Sequence, residues 1–163
     1  MATSESLVNQ KGLVIRPAEP DDDDALIDLL HQYLDFYRVP YPEDHRLQAL
    51  INRLRTDPSR GVQLIAFHDG KPVGFASLYA TLDTFLASDI LIMNDLFVTP
   101  AGRSAGIGTQ LFMACRRYAA DKGYARVDWV TAPDNLAAQR FYDRHGGRRG
   151  PWVPYSIPPL FDR

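Results

Sequence analysis

The chain has 163 residues, 45% of them hydrophobic and 23% charged, a composition that suits one domain around one core. Its formal net charge of −2 argues against a broad nucleic-acid footprint and permits a cationic small molecule, and no apolar run approaches the roughly 18 residues of a membrane span. The single cysteine, Cys115, makes an intramolecular disulfide impossible, and Met1 to Ser6 lack the basic start and apolar stretch of a secretion signal, so a cytoplasmic protein is expected.

Residues 1–12 read as a flexible tail and 13–163 as a single domain. Leu13 to Arg16 form a short strand stopped by Pro17. A helix follows, opened by Asp21 to Asp24, where acids favour the helix dipole, with Ala25, Leu26, Leu29, Leu30, Tyr33, Leu34 and Tyr37 at helical spacing before Pro40. A second helix from about Glu43 to Arg55 carries Leu47, Leu50, Ile51 and Leu54 on one face and ends at Asp57-Pro58. Val62 to His68 and Pro72 to Tyr79 alternate as strands around Asp69-Gly70, a strong hairpin signal. Ile90 to Val98 is a long strand. A helix then places Ile107, Leu111, Cys115 and Tyr118 on one stripe as far as Lys122-Gly123. Arg126 to Thr131 is the next strand, Leu136 to His145 the next helix, and Trp152 to Ile157 a candidate last strand closing the sheet. A hairpin beside βαβ units predicts a mixed α/β sheet covered by helices.

Between the Ile90 to Val98 strand and the following helix lies Arg103-Ser104-Ala105-Gly106-Ile107-Gly108, followed by Thr109. A strand that ends in a glycine loop and restarts as a helix gathers main-chain N–H groups at the positive end of the helix dipole, a cradle for pyrophosphate. Gly106 and Gly108 remove the Cβ atoms that would hold a phosphate away, and Arg103 adds a positive charge at the rim. Two better-known phosphate loops fail. The Walker loop needs a second glycine where Ile107 stands, and the dinucleotide fingerprint needs a third glycine where Leu111 stands. Downstream, Asp134 or Asn135 can cap the helix of Asn135-Leu136-Ala137-Ala138-Gln139-Arg140-Phe141-Tyr142, and Gly146 follows as a helix stop.

Arg-x-x-Gly-x-Gly after Asn94-Asp95-Leu96-Phe97-Val98, and Asn-x-x-Ala-x-x-Phe-Tyr one helix and one strand later, resemble the two coenzyme A segments of the GCN5-related N-acetyltransferases. Within that family, the Asn94 to Val98 segment looks most like the branch of polyamine, amino-acid and histone-type enzymes. The resemblance spans about Leu13 to Ile157. It implies an α/β fold with a mixed, mostly antiparallel sheet, splayed central strands and about four flanking helices. It also implies acetyl-CoA as cofactor, a pantetheine arm hydrogen-bonded along Leu96, Phe97 and Val98, a pyrophosphate on Arg103 to Thr109, and contacts from Asn135, Ala138, Phe141 and Tyr142.

The expected activity is direct transfer of an acetyl group to a primary amine of a small molecule, such as a polyamine or amino acid. A protein lysine or N-terminus as acceptor and a non-catalytic acyl-CoA sensor are the alternatives. An amine with a pKa near 10.4 is mostly protonated at neutral pH, so a base or a water chain has to deprotonate it. Asp95 is the candidate base and Asn94 a candidate for orienting water. Strict strand alternation puts the two on opposite faces unless a bulge intervenes, and a merely structural strand-end role for Asp95 stays open. Related polyamine enzymes often carry Glu-Asp at this place; here the glutamate is absent. Main-chain N–H groups around Phe97 or Val98 are candidates for holding the oxyanion. Tyr142 is the candidate acid for the departing thiolate, against the plainer reading that it only packs beside Phe141.

The aromatic stretch from Tyr33 to Tyr41 is expected to roof the acceptor site, with Tyr33, Tyr37, Tyr79, Asp83 and Asp95 as candidate substrate contacts. Tyr33 and Tyr37 also fit a simple buried stripe. Cys115, on an apolar helix face, reads as core and not as a nucleophile. His31, His45, His68 and His145 have no ligand spacing, and no metal is expected. The aromatic, proline-rich stretch Gly150 to Tyr155 is a candidate subunit contact, and a homodimer is expected by analogy with the fold.

Overall fold

The computed structural model describes residues 5–160. They fall into two compact units, one ending at Trp129 and one starting at Val130. The first holds a six-stranded sheet in sequential order: β1 (Val8–Gln10), β2 (Leu13–Pro17), β3 (Gly61–His68), β4 (Lys71–Asp83), β5 (Ser88–Val98) and β6 (Val127–Asp128). Neighbours pair antiparallel except β5 and β6, which are parallel. Helices α1 (Asp23–Tyr37), α2 (Asp44–Thr56) and α3 (Ile107–Asp121) belong to this unit, and α4 (Leu136–Arg144) to the second. Among the described residues no helix is long and apolar enough to cross a membrane.

The Asp69-Gly70 turn is as expected, both residues at positive φ (50° and 76°), the requirement of a two-residue hairpin. The same geometry recurs at Lys11 (49°) and Gly12 (76°), where Val8–Gln10 folds back on β2. The expected tail therefore contains an edge strand, and Leu7 N–H donates to the Ile15 carbonyl; residues 1–4 lie outside the described residues. Two further expectations are corrected. The strand read as Arg126 to Thr131 is only Val127–Asp128, and Trp152 to Ile157 form no strand.

One sheet face carries Ile65, Phe75 and Phe97, and onto it pack Leu26, Leu29 and Leu30 of α1 with Leu47 and Ile51 of α2. Alternation sends Leu64, Ala66, Ala76 and Leu78 to the opposite face, all fully buried. There α3 lies against the sheet with its predicted stripe, Ile107, Leu111, Cys115 and Tyr118, buried. Burial pushes the Cys115 thiol up to about 12, so it stays protonated and inert. At the start of α1, buried Asp22 takes two hydrogen bonds from Arg16 (2.6 and 3.1 Å) and one from the Glu19 amide (2.7 Å). Burial alone would raise its carboxyl; these donors outweigh it and hold the group below the usual carboxylate range.

Candidate active site

The strand that ends in the glycine loop is irregular where it matters. Ser77 of β4 pairs with Asp95 of β5, yet the next residue, Leu78, pairs with Met93, so Asn94 is an inserted residue, a β-bulge. The bulge lets neighbouring side chains meet: the Asn94 amide donates to Asp95 at 3.1 Å, with Asn94 exposed and Asp95 buried. It also shifts which main-chain groups face outward. Before the bulge, Leu91 N–H donates to the Arg126 carbonyl on the β6 side (2.9 Å). After it, Thr99 N–H turns the other way, to Val73 of β4 (2.9 Å), and the Phe97 carbonyl sits 2.5 Å from where a Cβ on Gly74 would be. Phe97 and Thr99 therefore face β4, and Leu96 and Val98 face away from it. Pairing with β6 stops at Ile92 and Asp128, so among the described residues no strand pairs with β5 along 94–98 on that side.

Asp95 sits beneath α1. Burial pushes its carboxyl above the usual range, and hydrogen bonds from Ser77, Tyr33 and Asn94 partly offset that. The Tyr33 ring meets Phe75 and Phe97 edge-on, with centroids 5.8 and 6.1 Å apart, and Tyr37 at 5.2 Å. Tyr79, two residues along from Ser77, has its phenol pushed up to about 12, by burial first and by the nearby Asp95 charge second. Thus Tyr33, Tyr79, Asn94 and Asp95 come together, and Tyr37 borders them through Tyr33. Asp83 does not join them. It ends β4, where Arg126 grips it at 2.5 Å and Asp128 at 2.6 Å.

Beyond β5, a 3₁₀ turn at Pro100–Ala105 leads to Gly106, at φ 71°, as the residue before α3. The first amides of α3, at Ile107 and Gly108, stand at the positive end of the helix. A Cβ on Gly106 would meet nothing within 4 Å, so open space lies above the loop. The Arg103 guanidinium folds back across Phe36 (5.5 Å) and Phe97 (6.0 Å), and its Nε donates to the outward-facing Val98 carbonyl at 3.1 Å. Ala105 is exposed; the side chain of Ser104 lies outside what is described. An open main-chain edge running into a helix start with a left-handed glycine is the shape that an amide-bearing arm ending in a diphosphate requires.

In the second unit, Asn135, and not Asp134, is the cap of α4, its side chain accepting from Ala138 N–H at 3.1 Å. Phe141 and Tyr142 meet edge-on at 5.4 Å, and Gly146, at φ 83°, ends the helix with Gly147 N–H on the Tyr142 carbonyl (2.9 Å).

The family model of the acetyltransferase (GNAT) family matches residues 26–147. The chain belongs to this family. It is thus an acyltransferase dependent on acetyl-CoA, and both sequence motifs fall inside the matched region. This acetyltransferase is 33% identical over 132 residues to the uncharacterized N-acetyltransferase YhfO of Bacillus subtilis, covering 81% of this chain and 87% of that protein. It is 28% identical to the D-amino-acid N-acetyltransferase HPA3 of Saccharomyces cerevisiae, over 86% of this chain and 87% of that one. Its fold superposes, with a TM-score of 0.78, on AAC(6')-Iy in complex with a bisubstrate analog of CoA, at 23% identity over 91% and 99% of the two chains.

Sequence reading of this acetyltransferase missed Ser77 and Gln63, whereas Phe36 lies in the aromatic stretch expected to roof the acceptor site. A serine inside the buried run Gly74 to Leu78 was the available signal for the first, since a polar residue at such a position needs partners.

Proposed function

We propose that this acetyltransferase moves an acetyl group directly from acetyl-CoA to a primary amine of a small molecule, a polyamine, an amino acid or a similar compound. One observation carries the reading: a buried carboxylate, Asp95, is joined through Asn94 to the bulge from which an outward main-chain edge runs to the glycine loop. Bound acetyl-CoA supplies the activated thioester carbonyl and a thiolate leaving group. The open side of Leu96 and Val98 and the loop from Arg103 to Thr109 fit its arm and diphosphate. Arg103 would have to release the Val98 carbonyl to serve them.

Asp95 accepts the proton of the arriving ammonium group through a water oriented by Asn94. Val98 N–H, facing the open edge, supports charge developing on the carbonyl oxygen; Phe97 N–H faces β4 and is the weaker of the two expected donors. Tyr142 gives its phenolic proton to the departing sulfur and recovers one from the nitrogen, whose second proton is shed as the amide forms; Asn135, Ala138 and Phe141 hold the helix that carries it. Tyr33, Tyr37 and Tyr79, with Phe36 near Arg103, offer aromatic faces to an ammonium group. Asp83 retains only an indirect part, since Arg126 occupies it.

The name of HPA3, which places D-amino acids among a relative's substrates, favours a small acceptor over a protein. Free-thiol release from acetyl-CoA over a panel of polyamines, free amino acids and lysine peptides tests this: small amines should turn over without help from peptide length. Turnover confined to peptides would replace the reading by protein acetylation. A family match over 26–147 that runs across the boundary at Trp129 supports one functional domain, which takes in β1 ahead of the expected start at Leu13. The exposed apolar side chains of Trp152, Val153, Tyr155 and Ile157 support a homodimer, and a lone buried thiol suits the reducing cytoplasm.

A further inference from the structure

Three polar side chains lie in one row across the largely apolar sheet face beneath α1 and α2. Gln63 of β3 pairs with Ser77 of β4, and Ser77 with Asp95 of β5. Their exposures are 4%, 0% and 7%. The adjacent row is Ile65, Phe75 and Phe97, fully committed to the core. A packing role alone would favour aliphatic residues in the polar row as well. Gln63 even carries a buried Oε1 with no hydrogen-bond partner among the described residues, a standing penalty for a side chain kept only to fill space.

A serine hydroxyl has one proton and two lone pairs. The Gln63 amide Nε2 donates to Ser77 Oγ at 3.3 Å and takes one lone pair. Tyr79, two residues along β4, also meets Ser77, and its phenol, pushed up to about 12, keeps a proton that it can give to the second lone pair. For the serine proton the strongest acceptor at hand is the carboxylate of Asp95, the residue paired with Ser77 on the next strand. The groups that meet Asp95 are then Tyr33 from α1, Ser77 and Tyr79 from β4, and Asn94 from its own strand.

We propose that Ser77 is a positioning residue for acetyl transfer: oriented from two sides by Gln63 and Tyr79, its hydroxyl aims its single proton at Asp95 and holds that carboxylate in the ionised form that accepts a proton. This rests on Asp95 acting as the base. Losing the Ser77 donor disfavours the charged form, so the acidic limb of the rate profile, where activity falls as Asp95 takes up its proton, moves to higher pH.

The test uses the full chain and two readouts, the pH profile of kcat/KM with one fixed amine and the 13C carboxyl titration of Asp95, assigned by its loss in Asp95→Asn. Ser77→Ala should move both upward by roughly one pH unit, the size of one net hydrogen bond. Ser77→Thr, which keeps the hydroxyl, should restore both, and Gln63→Leu should move both by less. An Asp95 titration unmoved in Ser77→Ala and Gln63→Leu overturns the proposal and leaves the base assignment intact. An acidic limb that persists in Asp95→Asn overturns the base assignment, and with it a catalytic purpose for Ser77, even where the carboxyl titration has moved. Should Ser77→Ala fail to fold, Gln63→Leu and Ser77→Thr carry the same comparison.

Discussion

Asp95 illustrates how a single side chain draws its properties from what buries it. In water it would be ionised well below neutral pH; beneath α1 it is desolvated and kept charged only by donors. Replacing it by asparagine should abolish the acidic limb of the pH–rate profile and lower turnover by roughly 10²-fold or more, measured with saturating acetyl-CoA. Tyr142→Phe should lower turnover at least about tenfold with little change in coenzyme affinity by calorimetry, since the ring stays and only the proton donor goes. Near-normal turnover would leave Tyr142 as a packing residue. At this scale the sequence named Asp95 with Asn94, Tyr33 and Tyr79 for one site, but not Ser77 and Gln63 behind it. A hydrogen bond across three strands depends on register, and register between Gln63, Ser77 and Asp95 is invisible until the bulge at Asn94 is known.

Among the elements, legibility followed the strength of local chemistry. The Asp69-Gly70 hairpin and the buried stripe of α3 were readable because turn residues and helical spacing act within a few positions. The Lys11-Gly12 hairpin escaped because lysine is an uncommon occupant of a left-handed turn position, although the glycine after it was the clue. β6 is shorter than its composition suggests, because a strand extends only as far as its neighbour offers a matching edge, and β5 breaks step at Asn94. The last expected strand contains Pro154 and is bounded by Pro151 and Pro158, none of which brings an N–H to a ladder. Gly106 lends itself to an element-scale test. Gly106→Ala should cost about 1 kcal/mol through its left-handed φ of 71°, clash with no protein atom, and weaken CoA binding several-fold in a calorimetric titration. The start of α1 offers another. Asp22→Ala removes the partner of a mostly buried guanidinium and should lower the unfolding free energy by about 3 kcal/mol in a denaturant titration. Because the folded-state carboxyl is held below its unfolded value, this stabilisation is present above about pH 4 and disappears as pH falls through the folded value. Wild type and Asp22→Ala should therefore converge in strong acid.

For the whole molecule, the residues from 148 to 160 have no regular secondary structure and are exposed, with Tyr155 at 94% and Ile157 at 90%. If that apolar stretch joins two copies, a chain ending at Gly147 should run as a monomer in size-exclusion chromatography with light scattering, while the full chain runs as a dimer. The outward-facing edge of β5 along 94–98 has a consequence for storage and handling. A strand edge with no strand partner among the described residues is a template for any other extended chain, so protein without coenzyme should clump on standing and on heating. Saturating CoA should suppress that turbidity while raising the melting temperature by mass action, making the coenzyme a chaperone for the very cleft it occupies.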